Sequence, residues 1–206
     1  MLYPRTIKLN GKDTLVSNHQ MVGYKEHMTQ KHRIMFFTGF ITGGMEAHNL
    51  LLSLDALSHD PIKLVVTSPG GDLDATFLFY DTMKLIRSPI ETVGRYCASA
   101  AALILAAGQK RYLFPRAKVM LHKPWGRLEG DSRDLEIQGQ EMKKYESGFI
   151  NALLECGVRK SYNEILQDID RSLWLEPKQA IEYGLADEIM SREIWQSWIG
   201  EEGVKI

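Results

Sequence analysis

The sequence predicts an α/β fold: a parallel sheet with helices packed against it. Three observations predict it. Strand-like and helix-like segments alternate from Arg33 to His122, the pattern of strand–helix–strand units. The 206 residues suit one domain, or a domain with an arm, and 44% of them are apolar and 25% charged, as in an ordinary globular chain. No internal repeat, low-complexity run or linker interrupts the pattern.

The elements follow in order. Residues 1–31 are polar and irregular, with a turn signal at Asn10-Gly11, and read as an arm with one short strand. "RIMFFTGF" (Arg33–Phe40) is apolar and aromatic, a buried strand. "MEAHNLLLSLDALSH" places Leu50, Leu54 and Leu57 on one helix face. "IKLVVTSPGG" is a strand that ends in a turn. "DATFLFYDTMKLI" is a helix with Phe77, Tyr80, Met83 and Lys84 along one side, and Pro89 lies beyond its end. "IETVGRY" is a third strand and "SAAALILAAG" an Ala/Leu-rich helix. "RYLFPRAKVMLH" gives one or two short strands. A long helix follows, opened by Asp131 or Ser132 as cap and closed by Gly157. "NEILQDI" and "EPKQAIEYG" are shorter helices, and "REIWQSWI" leads into a polar tail.

The bulk properties narrow the function. A net charge of -1 without a basic cluster argues against nucleic acid as partner. The longest apolar run, Ala98–Gly108, is too short to span a bilayer. The opening "MLYPRTIKLNGKDT" lacks the order of a secretory signal. Cys97 and Cys156 stand in no metal or redox spacing. A cytoplasmic setting is the simplest expectation. The histidines at 19, 27, 32, 48 and 59 show no His-Glu-x-x-His spacing, so no metal is expected, and no cofactor.

Three local features carry chemistry. The "TSPGG" turn can aim backbone amides at one point, because glycine accepts unusual dihedrals and brings no side chain; such amides stabilise an oxyanion. Taken alone, the stretch reads first as a plain turn. Ser99 follows a strand and opens an apolar helix, at the carboxyl edge where sites of such sheets lie. It is either a nucleophile or a helix N-cap. It lacks a Gly-x-Ser-x-Gly elbow, so no strained nucleophile turn is expected. His122, in "KVMLHKPWG", is either the base a serine needs or a strand-end histidine bonded to backbone. Cys97 is a rival nucleophile, or a small buried hydrophobe.

In sequence order, "TSPGG", "YDTMKLI", "ASAAALILAAG", "VMLHKP" and "AIEYGLADEI" resemble the motifs of the Clp peptidase proteolytic subunit (ClpP) family. The resemblance runs from about Arg33 to about Met190. It implies a ClpP/crotonase-type spiral core, with an N-terminal arm at 1–31 and a peptidase domain at 32–192. A handle helix near 132–156 and a tail at 193–206 complete it. It implies Ser99 as nucleophile and His122 as general base. Gly71, helped by Gly70, and the amide of Ala100 become oxyanion donors, with Ala100 where the family has methionine and Ala101 where it has glycine. Peptides are expected to lie extended along a strand after Gly71. The family's triad aspartate falls on Ser172, a departure. Asp170 and Arg171 resemble a ring-to-ring ion pair, and Asp170 or Asp168 is an alternative third member. The resemblance further implies heptameric rings stacked as a tetradecamer, cleaving unfolded proteins and peptides with an ATP-dependent unfoldase. The arm departs most from the family pattern, which makes the unfoldase the weakest implication. The alternative is a weakly active or inactive ring subunit beside an active paralogue. A crotonase-type acyl-CoA enzyme ranks third, because it does not need Ser99 with His122.

Overall fold

The computed structural model describes residues 5–9, 12–16, 18–43 and 46–200, with side chains from Lys25 onward. The chain opens with an antiparallel hairpin, β1 (Arg5–Leu9) and β2 (Lys12–Val16), then helix α1 (Asn18–His32). The expected irregular arm is thus a hairpin and a helix; the Asn10-Gly11 turn lies outside the described residues. The helix went unread because it has no apolar stripe: from Lys25 to His32 only Met28 is buried.

The sheet has six strands: β3 (Ile34–Thr38), β4 (Ile62–Ser68), β5 (Ile90–Ala98), β6 (Lys110–Leu121), β7 (Leu173–Leu175) and β8 (Glu188–Ile189). They run in the order β3-β4-β5-β6-β7, with β8 also on β6. β3 to β6 are mutually parallel, as the alternation required. The crossovers are α2 (Glu46–Leu57), α3 (Leu73–Leu85) and α4 (Ala100–Ala106). β6 is one strand, not two: its ladder with β5 skips from Leu113 to Lys118. Pro115, which has no N–H to donate, sits in that gap.

Side chains alternate across the sheet. Met35, Leu64, Val66 and Leu113 join the main core around α4, every residue of which is buried. Ile34, Val65, Val93 and Tyr112 face the other way. They meet Met28 of α1 and Trp198 of α8 (Arg192–Ile199). α2 turns a different face inward than its leucine spacing suggested. Leu51 and Leu54 are buried, while Leu50 and Leu57 are exposed. Leucines at 50, 51, 52 and 54 fit more than one stripe, and packing chooses the one that contains Ala47. On α3, Thr76, Phe79, Tyr80, Thr82 and Met83 are buried. Phe77 is half-buried, stacked on Tyr145 of the long helix α5 (Ser132–Glu155), and Lys84 is exposed.

The amino-terminal edge of the sheet is tied by one polar network. Arg33 donates to the carbonyls of Leu54, Ser58 and Asp60 and to Ser88 Oγ. Asp55 accepts from the Ser88 amide and hydroxyl, both at 2.8 Å. Burial alone would raise the Asp55 pKa. The bonds from Ser88, His59 and the Arg87 amide outweigh it and bring the group to about 2. A carboxylate with a depressed pKa adds stability above its unfolded value, and loses it as pH falls through the folded one. Asp55→Asn is therefore expected to lower the thermal midpoint at pH 7, with the gap from wild type closing between about pH 4 and pH 2. A pH-independent gap in thermal melts would exclude this ionic contribution.

Candidate active site

Ser99 stands between β5 and α4, at φ 58° and ψ −129°. It is one of two non-glycine residues with positive φ among the described residues. Such a backbone costs about 1–3 kcal/mol and persists only where the surroundings over-determine it. Here its amide donates to the Met120 carbonyl at 2.7 Å, and α4 is locked in the core behind it. A strained turn is therefore present despite the missing glycine elbow. What the turn needs is space, and Gly70 leaves it. A Cβ at position 70 would lie 2.6 Å from the Ala98 carbonyl oxygen and 2.8 Å from Ser99 Cβ. The Ser99 hydroxyl makes no capping bond, so it is not spent on the helix.

Two backbone amides beside it are free. Among the described residues, neither the Gly71 nor the Ala100 N–H has an acceptor. The Gly70 N–H is different, because it donates to Ser68 Oγ at 3.0 Å. Of the two glycines only Gly71 has a free amide; Gly70, expected to help it, has its own N–H bonded to Ser68 and leaves space for the turn. The turn is clasped by Ile41, which donates to the Gly70 carbonyl at 2.8 Å and accepts from the Asp72 amide at 2.9 Å. The strand expected after Gly71 is absent. Asp72 caps α3 there, accepting from the Ala75 amide at 2.8 Å.

His122 follows the last residue of β6 and is half-buried. Burial holds its pKa below the ordinary imidazole value, so the ring is neutral at pH 7. Its ring nitrogens have no hydrogen-bond partner among the described residues. Ser99, His122 and Gly71 line one cleft of about 530 Å³. A larger hollow of about 620 Å³ lies beside it, between β3, α2 and α3, and shares only Phe40. It contains neither Ser99 nor His122, so size does not mark the site.

Residues 18–193 match the family model for Clp protease. The chain belongs to the Clp protease family. It is 32% identical over 202 residues to ATP-dependent Clp protease proteolytic subunit 1 of Rhodopirellula baltica, covering 88% of each chain. It is 39% identical over 146 residues to the chloroplastic ATP-dependent Clp protease proteolytic subunit 4 of Arabidopsis thaliana, covering 68% of this chain and 49% of that one.

Against this Clp protease background, the surroundings of His122 stand out. β6 and β7 pair antiparallel, Val119 with Leu175, Met120 with Trp174 and Leu121 with Leu173. His122 directly follows β6 and Ser172 directly precedes β7, so the two stand at the same end of this pairing. Ser172 is exposed. Asp170 is engaged elsewhere: it accepts from Lys123 Nζ at 3.0 Å and pairs with Arg171 at 3.3 Å. The Lys123 bond, then the charges of Lys123 and Arg171, hold its carboxyl below the usual range. Asp168 accepts from the Tyr183 hydroxyl at 3.1 Å. Cys97 points into the core, fully buried, with Sγ 3.7 Å from the Val66 carbonyl oxygen. Burial pushes its thiol well above the usual range, which suppresses the thiolate.

The β7 pairing and the free amides were beyond sequence reasoning. The only available signal for β7 was the three-residue "LWL". No cluster of three or more His, Cys, Asp or Glu side chains that could hold a metal occurs among the described residues. No described helix is long and apolar enough to cross a membrane.

If Ser99 is the nucleophile, Gly70→Ala is expected to cut kcat/KM about 100-fold, because a displacement near 1 Å at a reacting atom costs that much. Circular dichroism should report a retained fold. Unchanged kcat/KM would mean that Ser99 does not need this spacing.

Proposed function

We propose that this Clp protease subunit is a serine endopeptidase with Ser99 as nucleophile and His122 as general base. One observation carries the reading: an uncommitted hydroxyl on a strained helix start shares a cleft with a neutral imidazole, next to two free amides. Ser99 Oγ attacks the peptide carbonyl carbon as His122 takes its proton. The amides of Gly71 and Ala100 stabilise the oxyanion that forms. The intermediate collapses, and the amine leaves with the proton from His122. Water then attacks the acyl-enzyme, with His122 again as base, and releases the new carboxylic acid. Ser172 takes the third position as a neutral neighbour of the imidazole. Labelling by a fluorophosphonate, mapped by mass spectrometry to Ser99, tests the reading; label on another residue overturns it.

The second reading is a weakly active or inactive ring subunit with a structural role. Ser172 favours it, because nothing charged faces the imidazole from that position. The free amides and uncommitted Ser99 favour the active one.

The active unit is proposed to be heptameric rings stacked as a tetradecamer, in a cytoplasmic setting. The names of both relatives include "ATP-dependent", which supports an unfoldase partner. The exposed Leu135 and Ile137 in the first half of α5 support a handle between rings, and Asp170 with Arg171 a ring-to-ring contact. Light scattering is expected to give a mass many times 23.5 kDa, and a monomer at micromolar concentration would rule the assembly out. Arg171→Ala should shift the population toward single rings. Within one subunit the Arg171 side chain is 90% exposed and its pairing contributes little, so the shift should come without a lower thermal midpoint of the subunit.

A further inference from the structure

We infer that Ser68 is a positioning residue for the oxyanion site: its buried hydroxyl oxygen holds the Gly70 amide and thereby keeps the Gly71 amide aimed into the cleft. The inference rests on reading the cleft as a peptidase site. Ser68 ends β4, is fully buried and does not line the cleft. Its Oγ accepts from the Gly70 amide at 3.0 Å. On the other side of the same residue, the Ile41 amide donates to the Gly70 carbonyl at 2.8 Å. Both polar groups of Gly70 are thus held, one by a side chain and one by backbone.

Peptide geometry turns these two bonds into an aim. In a trans peptide the C=O and N–H point in opposite directions. The Gly70 carbonyl points at Ile41, so the Gly71 N–H points away from Ile41, into the cleft that Gly71 lines. A peptide between two glycines turns over more easily than most, because no Cβ resists. Here both glycines have positive φ, 94° at Gly70 and 152° at Gly71. Turned over, this peptide would present a carbonyl oxygen to the cleft, which repels an oxyanion instead of binding it. The Ile41 bond holds the peptide itself. The Ser68 bond holds the peptide before it and so denies Gly70 the rotation a flip requires. Without the Ser68 oxygen the Gly70 N–H would be buried with no acceptor, and a turn toward water in the cleft would relieve it.

The test uses the assembled protein. Ser68→Ala is expected to lower kcat on a coumarin amide of a blocked peptide by about 10–100-fold, short of the full loss of an oxyanion donor. KM should stay within about twofold, because the oxyanion exists only after attack. The kcat is taken per site titrated with fluorophosphonate, so that fewer folded subunits do not count as slower ones. Light scattering confirms the wild-type mass, and Ser68→Cys, whose sulfur is a weak acceptor, serves if Ser68→Ala loses it. An unchanged kcat per site, or a loss carried by KM, overturns the inference. Calorimetry on Ser99→Ala separates it from the peptidase reading. There a peptide acid, whose carboxylate can take the place of the oxyanion, should bind about tenfold tighter than the same peptide as its carboxamide. Adding Ser68→Ala should bring the two Kd values together, even if the wild type cleaves no amide. An acid preference that is absent from Ser99→Ala, or that Ser68→Ala leaves unmoved, overturns the inference.

Discussion

Ser99→Ala is expected to abolish fluorophosphonate labelling and to lower peptide turnover by about 100-fold, the share of a full triad loss that is left once a neutral third position has already cost about 10⁴. The size of the loss follows from the division of labour. The free amides of Gly71 and Ala100 survive the substitution, but they only stabilise charge that a nucleophile has created. His122 survives too, with nothing to deprotonate. The fold should be nearly unaffected, because the hydroxyl caps no amide and alanine carries the same positive-φ strain. Ser99→Gly makes a sharper companion. Glycine accepts φ 58° without a Cβ penalty, so this variant should melt higher than wild type while being equally inactive. A stability gain on loss of the nucleophile is the expected sign of strain held at a functional residue. Persistent labelling in Ser99→Ala, mapped to another residue, would remove Ser99 from the mechanism.

The second large effect is expected at Ser172. In serine proteases, replacing the triad carboxylate by a neutral amide costs about 10⁴ in turnover. A carboxylate introduced opposite His122 should recover part of this, about 10–100-fold in kcat with little change in KM, because the attraction is strongest once the imidazole is charged. The pH profile supplies an independent sign. Burial holds the His122 pKa below its ordinary value. The base is active when neutral, so wild-type kcat/KM falls only as pH drops through that lowered value. A facing carboxylate stabilises the imidazolium and raises the pKa. The acid limb of Ser172→Asp should therefore move to higher pH, and its gain should be largest near neutrality. The opposing idea makes Asp170 the third member, with a fully active wild type, a crippled Asp170→Asn, and no benefit from Ser172→Asp. Asp170 is bonded to Lys123 and paired with Arg171, so Asp170→Asn is expected to leave kcat/KM within about threefold of wild type. Wild-type speed in Ser172→Asp together with a large loss in Asp170→Asn would reverse the assignment.

The sequence alone determined the alternation of strands and helices along the parallel core, because that alternation rests on local signals. Short apolar runs made β3, β4 and β5 legible, and the cap at Asp131 is a pair of bonds to amides within three residues. Ser99 and His122 stood out as candidates because each sits at the junction of two local patterns.

Contacts between distant segments decided the rest. α1 has no stripe to read and is held through Met28 against β3, β4 and α8. α2 carries leucines enough for more than one face, and packing chose Leu51 and Leu54. The φ of Ser99 depends on room left by Gly70, 29 residues earlier in the chain. Whether Gly70 or Gly71 offers a free amide depends on where Ser68 Oγ points. Cys97, two residues from Ser99, is turned into the core by its place in β5. Ser172 and His122 stand at the same end of a strand pair only because β7 pairs antiparallel with β6. Periodicity and caps report interactions within a few residues, where the chain's own geometry fixes the partners. A register, a clearance or a free amide is set when segments far apart in sequence meet, so only the tertiary structure could decide them.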